Sequence, residues 1–461
     1  MHVDRSAIYW NYGATFLKMA SGAILLPFIL RLMPAEKVAI WSLFTTITSF
    51  ALLLDFGFQP SFARNVTYVF SGVKTLRSKG FVSPEVSGAS VDYGLLNGLL
   101  AAMKWFYFRI AATVLLVLAT AGTVYIYTIL RNYHDSHQEV YIAWGVLCLL
   151  NSANLFTLYY DALLQGKGMV KRAKQIAVIS QLAYLILALL LTILGFGLIA
   201  IVSSQAVSIL VSRTLARRAF FTREMDKLMS KAATVPTKDV LRTIFPNSAK
   251  MGLTSLGGFM IQKSALLIGS IYLPLAVIAS YSITIQLINV IAGLAGIYVA
   301  TYGPRLSHLR VVGDLEGMKK IYLKSQFVTL STFLFAGLVL VVLGPHVLAL
   351  IGSKTVLLPA TLTLIALATA FEQTNMSIAG DILLTKNEVP FFKPSLVSGI
   401  CTIVLLIAVF SIFDLGILTM LLVPLAVDLS YQAWKWPWQV KEDLGMSFSD
   451  LYKVFRPNMP R

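Results

Sequence analysis

PAEKVAIWSLFTTITS, residues 34–49, and PLAVIASYSITIQLIN, residues 274–289, decide how this chain is read. At a constant offset of 240 (274 minus 34), Pro34, Val38, Ala39, Trp41 and Ser42 recur as Pro274, Ile278, Ala279, Tyr281 and Ser282. The chain reads as internally duplicated. At the same offset Ser42, Thr46 and Ser49 fall opposite Ser282, Gln286 and Asn289, with spacings that put each trio on one helix face. Polar stripes on apolar helices are costly unless they face protein or a water-filled cavity. Two matched stripes therefore predict a central cavity between two half-domains, the arrangement of a transporter.

Working outward, the 461 residues are 57% hydrophobic and only 13% charged. Runs such as Ile110 to Ile129 and Gln326 to Gly344 are long enough to cross a bilayer. The expected fold class is an all-α polytopic membrane protein with about twelve transmembrane helices in two six-helix bundles. Apolar stretches and loop signals put the spans at roughly 7–32, 38–58, 105–130, 139–164, 174–195, 198–220, 247–271, 275–301, 323–344, 357–384, 392–413 and 415–436. That divides the chain into an N-terminal bundle over about 1–220, a cytoplasmic linker over 221–246, a C-terminal bundle over 247–440 and a cytoplasmic tail over 441–461.

The formal net charge of +17 would suggest nucleic acid as a partner of a soluble protein. Here it is a topology signal. With the N-terminus cytoplasmic, every lysine and arginine falls on the inner side except Arg31, Lys37, Arg131 and Lys354 outside, and Lys18 and Lys263 within spans. Both termini are thus expected in the cytoplasm, and no nucleic-acid partner is expected. Pro34 and Pro274 both lie on the outer side with six spans between them, so the repeat is parallel rather than inverted. Asp161, Leu163 and Leu164 match Asp381, Leu383 and Leu384, and Gly197 matches Gly416, at an offset reduced to about 220 by a longer loop in the first half. That loop, Thr67 to Lys104, runs into an apolar-basic stretch, Tyr93 to Phe108, expected to lie on the inner leaflet.

Lys18 lies halfway along the first span, where a lysine costs roughly 2.5–3.5 kcal/mol on insertion scales. Asn11, Thr15, Lys18 and Gly22 form one polar face. Lys263, with Gln262 beside it, repeats the situation in the seventh span, though the two lysines are not at matching repeat positions. Two cations in one cavity imply an anionic substrate group. The alternative is that each pairs with a buried carboxylate, Glu372 or Asp428, as structural glue. Glu372 lies at mid-membrane in the tenth span, placed either to carry a coupling proton or sodium ion or to make a structural contact. Asp55, Asp161 and Asp381 lie near cytoplasmic span ends, as helix caps or inter-helix contacts. Arg64 and Arg305, at the inner ends of spans two and eight, either meet a phosphate at the cytoplasmic mouth or snorkel as topology determinants. Ser282, Gln286, Asn289, Gly293 and Gly296 share a face suited to sugar hydroxyls or, at the glycines, to close helix packing.

No phosphate-cradling P-loop occurs, the histidines are scattered, and Cys148 and Cys401 both fall within spans. An enzyme reading is weak, and no cofactor or metal is expected.

The local patterns carry a resemblance. Leu26-Pro27 through Trp41-Ser42-Leu43, Asp55-Phe56-Gly57-Phe58 followed by Arg64, Leu163-Leu164-Gln165-Gly166, and Ala279-Ser280-Tyr281-Ser282 leading to Gln286 resemble Wzx-type O-antigen flippases of the multidrug/oligosaccharidyl-lipid/polysaccharide exporter superfamily. The similarity of layout covers nearly the whole chain. It implies alternating access in a bacterial inner membrane, an undecaprenyl-pyrophosphate-linked oligosaccharide as cargo, membrane lipids as surroundings, and H+ or Na+ or the membrane potential as the driving force. Within this resemblance Lys18 and Lys263 would neutralise the diphosphate, with Asn11, Gln286, Asn289, Arg64 and Arg305 around them. Two other readings stay open: an exporter of organic cations from the same superfamily, and a non-transporting scaffold of glycan assembly. A glycan-polymerising enzyme would need a large outer loop, and the outer loops here are short.

Overall fold

A computed structural model of the chain describes the backbone of residues 5–73, 91–232, 237–386 and 389–447. Helices dominate it, and no strand occurs among the described residues. The chain is an all-α polytopic membrane protein that separates into two compact units, 1–255 and 256–461. The division falls inside a helix, downstream of the expected linker at 221–246, much of which is itself helical.

The first unit contains α1 (Arg5–Leu32), α2 (Ala35–Leu53), α3 (Phe58–Phe70), α4 (Tyr93–Val117), α5 (Thr123–Ile129), α6 (His137–Phe156), α7 (Tyr159–Gly166), α8 (Val170–Ile193), α9 (Gly197–Phe220) and α10 (Arg223–Ser230). Helix α11 (Thr237–Tyr272) crosses the division. The second unit continues with α12 (Leu275–Val312), α13 (Leu315–Leu350), α14 (Ala360–Leu384), α15 (Phe392–Ile412), α16 (Ile417–Ser430) and α17 (Gln432–Asp443). Nine helical stretches among the described residues are long and apolar enough to span a bilayer. The three other expected spans fall on α1, α11 and α14, which have 28, 36 and 25 residues. At 1.5 Å per residue even the shortest reaches about 38 Å, more than a hydrocarbon core of about 30 Å.

Local chemistry sets the helix ends. Asp92 accepts from the amide of Leu95 at 2.9 Å to start α4, and Asp314 accepts from Gly317 at 2.8 Å to start α13. Each capped amide would otherwise lack a partner. The duplication is visible in the backbone. Pro34 (φ −57°, ψ 152°) leads into α2 as Pro274 (φ −57°, ψ 141°) leads into α12. Gly197 and Gly416, which open α9 and α16, adopt left-handed φ values of 53° and 55°. A side chain would strain either turn, which explains glycine at both repeat positions.

In the first unit the core is gathered by α3, α4 and α7 around Phe62, Val66, Leu99, Met103 and Leu163. The stretch Tyr93 to Phe108 is therefore not a separate surface helix. It is the opening half of α4, and Leu96, Leu99, Met103 and Phe106 are buried while Lys104, Trp105 and Arg109 stay exposed. The apolar positions recur at three to four residues, which serves packing against a neighbouring helix as well as contact with lipid. Between α2 and α3 the chain kinks through Phe56 and Gly57, both with positive φ. Asp55 holds this kink by accepting from the Gln59 amide at 3.1 Å and from the Tyr107 hydroxyl at 2.7 Å.

In the second unit α12 runs unbroken for 38 residues and stops at Gly313. Helices α11 and α15 approach glycine to backbone: a Cβ on Gly257 would come within 2.7 Å of the Ser395 carbonyl carbon. Small residues permit such contact, which is how helices pack where lipid provides no hydrophobic drive. Outward-facing side chains such as Phe335 and Leu350, 75% and 87% exposed, form the apolar exterior expected of lipid-facing helices.

Candidate functional site

Four helices of the second unit enclose a polar cavity. Helix α11 contributes Gln262 and Lys263, α12 contributes Tyr281 and Asn289, α14 contributes Thr369 and Gln373, and α16 closes it with Met420 and Pro424. Its volume is about 60 Å³. That is room for roughly four waters or a desolvated small cation with part of its shell. Lys263 is half-buried and forms no ion pair among the described residues. Neither Glu372 nor Asp428 neutralises it, so the structural-glue alternative fails for this lysine. An ammonium this deep without a counter-ion is expensive, and lysine's point charge with three donors suits an incoming anion.

The two carboxylates form a second feature of the same unit. Asp428 on α16 is fully buried, and its Oδ2 accepts from Gln373 Nε2 at 3.1 Å. Its Oδ1 and both oxygens of Glu372 on α14 are enclosed without a hydrogen-bond partner among the described residues. Glu372 and Asp428 are within electrostatic reach of each other. Two negative charges that close in a low-dielectric interior repel, and a bound proton or cation relieves the repulsion. A second cavity of about 270 Å³ shares Ile261, Gln262 and Gln373 with the first and extends to Asp381, Gln432 and Trp436. Trp436 Nε1 donates to Gln432 Oε1 at 3.3 Å. The two cavities thus adjoin at Gln262 and Gln373.

Of the residues expected in one site, the structure brings together Lys263 and Asn289. Gln286 is half-buried on α12 but lies off the lining of that cavity. Arg305 is exposed, sixteen residues beyond Asn289 along α12, or roughly 24 Å at the helical rise. Lys18 and Arg64 belong to the first unit, exposed on α1 and α3. The side chain of Asn11 lies outside the described residues. The polar stripe of α2 departs from expectation. Ser42 and Thr46 are buried, while Ser49, the third member of the stripe, is exposed. Serine and threonine are small enough to be packed within a bundle, and sequence spacing does not distinguish a packed face from a wet one.

The first unit treats its charges differently. Asp161 accepts from Arg213 at 2.8 Å, and Arg213 also donates to Asn154 at 2.7 Å. Lys37 pairs with Asp135 at 2.9 Å and Glu139 at 2.6 Å, and Glu139 accepts from the Leu198 amide at 2.7 Å. Pairing with two acids accounts for a lysine on the expected outer side. The Lys37 ammonium also holds the Asp135 carboxyl below the usual carboxylate range. In the second unit Arg310 and Lys386 both pair with Asp443, joining the ends of α12, α14 and α17.

Sequence reading underrated Asp428, Gln373 and Gln432. A signal for them existed. Asp428, Gln432 and Trp436 recur every four residues, and Gln373 adjoins Glu372 in an apolar span.

No known family profile matches the chain. A search of curated proteins also returned no match. Solved structures do resemble it. An inward-facing multidrug resistance MATE family transporter of the MOP superfamily matches with a TM-score of 0.61 at 15% identity, over 95% of this chain and 96% of that one. The lipid II flippase MurJ, in an inward closed conformation, matches with a TM-score of 0.58 at 14% identity, over 97% and 90%. A MOP superfamily transporter from Pyrococcus furiosus, described as having a binding pocket of reverse polarity, matches with a TM-score of 0.52 at 15% identity, over 96% of each chain. The chain has the fold of MOP superfamily transporters.

Proposed function

We propose that this protein transports a lipid-linked anionic oligosaccharide, of the undecaprenyl-pyrophosphate class, across a bacterial inner membrane by alternating access. The observation that carries this reading is Lys263, a cation with no counter-ion among the described residues, on a polar cavity shared with Asn289 and Gln373. Lys263 meets the diphosphate, and the amides of Asn289 and Gln262 take the first hydroxyls of the glycan. Glu372 and Asp428 bind the coupling H+ or Na+. One charge moved across 100 mV is worth about 2.3 kcal/mol, enough to bias the cycle. The fold shared with a lipid II flippase and with a transporter of reversed pocket polarity supports this reading. The positive-inside pattern supports cytoplasmic termini.

The test is the leaflet distribution of lipid-linked oligosaccharide in cells. At equal expression, Lys263→Ala should lower appearance in the outer leaflet at least tenfold, while Lys320→Ala, on the exposed face of α13, leaves it unchanged. Equal transport by the two variants sinks the assignment.

A second reading, export of organic cations, draws on the buried acids Glu372 and Asp428 and on the likeness to a MATE transporter. It replaces the first if Glu372→Gln abolishes efflux of a cationic dye while the lipid-linked glycan is moved at the normal rate.

A further inference from the structure

On the first unit, a pocket of about 820 Å³ opens between α4, the start of α7 and the last turn of α9. Its size is within the range of ligand sites, about 300–1,000 Å³. One wall is aromatic: Tyr159 and Tyr160 have ring centroids 4.4 Å apart, and Tyr160 meets Phe221 edge-on at 6.2 Å. The rim is cationic. Lys104 from α4 and Arg217 and Arg218 from the last turn of α9 all line it and all are exposed.

Among the described residues these three cations form no ion pair. Lys104 has only the Tyr159 ring, 6.0 Å from its ammonium. The nearby acid Asp161 is already taken by Arg213, and Asp226 is the single carboxylate on the lining. The pocket therefore carries a local excess of positive charge that its own residues do not neutralise. Its surroundings have the composition of a membrane interface. Trp105 and Phe108 are 45% and 63% exposed on α4, and Arg109 stacks 4.0 Å over the Trp105 ring. Aromatic and basic side chains grouped in this way mark headgroup depth.

From these observations we infer that the pocket binds a phosphate-bearing group at the inner face of the membrane. Arg217 and Arg218 present planar donor forks suited to phosphate oxygens, Lys104 adds a point charge, and the tyrosines pack against the part of the ligand next to the phosphate. The inference is independent of the transport reading, because every residue it uses lies in the first unit. Two sources supply this chemistry: the headgroup of an anionic phospholipid, and a soluble polyphosphate.

The test uses the full chain in detergent, with native mass spectrometry to count bound phosphatidylglycerol, phosphatidylcholine and pyrophosphate. Three proteins are compared: the wild type, a pocket variant with Lys104→Gln, Arg217→Gln and Arg218→Gln, and a control of equal charge loss with Lys171→Gln, Arg172→Gln and Lys174→Gln. At least tenfold weaker phosphatidylglycerol binding in the pocket variant alone, with phosphatidylcholine unaffected, supports the inference with lipid as the source. The same pattern for pyrophosphate alone supports it with a soluble source. Equal binding of both by all three proteins overturns it. Footprinting the wild type with a lysine-acylating reagent keeps the inference testable if the pocket variant does not fold. Lys104 should react several-fold more slowly relative to Lys171 when phosphatidylglycerol or pyrophosphate is added, and an unchanged ratio with both overturns the inference.

Discussion

The two units are built on one repeat yet handle their buried acids differently. In the N-terminal unit Asp55, Glu139 and Asp161 are each held by a named partner: Tyr107, Lys37 and Arg213. Among the described residues of the C-terminal unit, Glu372 has no partner, Asp428 keeps one oxygen without one, and Lys263 has no counter-ion. Helix continuity follows the same division. The first unit breaks its second span at Phe56-Gly57 and its fourth between α6 and α7, where the second unit runs α12 and α14 through. A paired charge in a membrane protein serves the fold, whereas an unpaired one is kept against its desolvation cost and so points to function. On the proposed reading, the buried unpaired groups of the second unit are the ones that meet the cargo or its coupling ion.

The contrast can be broken by experiment. The largest effect is expected at Glu372. If its bare carboxylate serves transport, Glu372→Gln should lower transport at least tenfold while raising the melting temperature, because a neutral amide costs less to bury. A variant that loses stability and retains transport would make Glu372 structural and erase the contrast. Next in size is Arg213→Ala in the first unit, which strands Asp161. Removing one partner of a buried pair costs roughly 3–5 kcal/mol, and the 35% exposure of the Asp161 side chain reduces that to about 2 kcal/mol. Denaturant unfolding in detergent checks it, and a change below about 0.5 kcal/mol would put this pair in the class of surface ion pairs.

The smallest effect concerns pH. Lys37 depresses the Asp135 carboxyl in the folded state, so this group stabilises the fold above its unfolded value, near 3.9, and the contribution fades as pH falls through the lower folded value. Asp135→Asn should therefore flatten the acid limb of the melting curve below about pH 4 and leave neutral pH nearly unchanged. Parallel acid limbs in the two proteins would show that the Lys37 cluster does not tie down the outer end of the first unit.

Much of this was legible in the chain. Pro34 with Pro274 and Gly197 with Gly416 mark the repeat because fixed or left-handed backbone angles select the residue type directly. Lys263 and Glu372 stood out because an ionisable group in an apolar run is costly wherever it points. Other readings were altered by packing. Tyr93 to Phe108 looked interfacial throughout, and one of its faces packs into the core, since its periodicity is the same against lipid as against another helix. Ser42 and Thr46 looked wet and are buried. Lys18, Arg64 and Arg305 were grouped by charge; the first two are exposed on α1 and α3 of the first unit, and Arg305 is exposed about four helical turns from Asn289 along α12 of the second.

Composition, hydrophobic run length and basic-residue placement were enough for an all-α membrane protein with a duplicated plan, because bilayer thickness and backbone hydrogen bonding leave few alternatives. Which polar residues meet was a different matter. Gln262, Lys263, Asn289 and Gln373 come from three helices, and their convergence depends on helix rotation and close approach at contacts such as Gly257 against Ser395. A helix fixes which residues share a face, and packing alone settles what that face looks at.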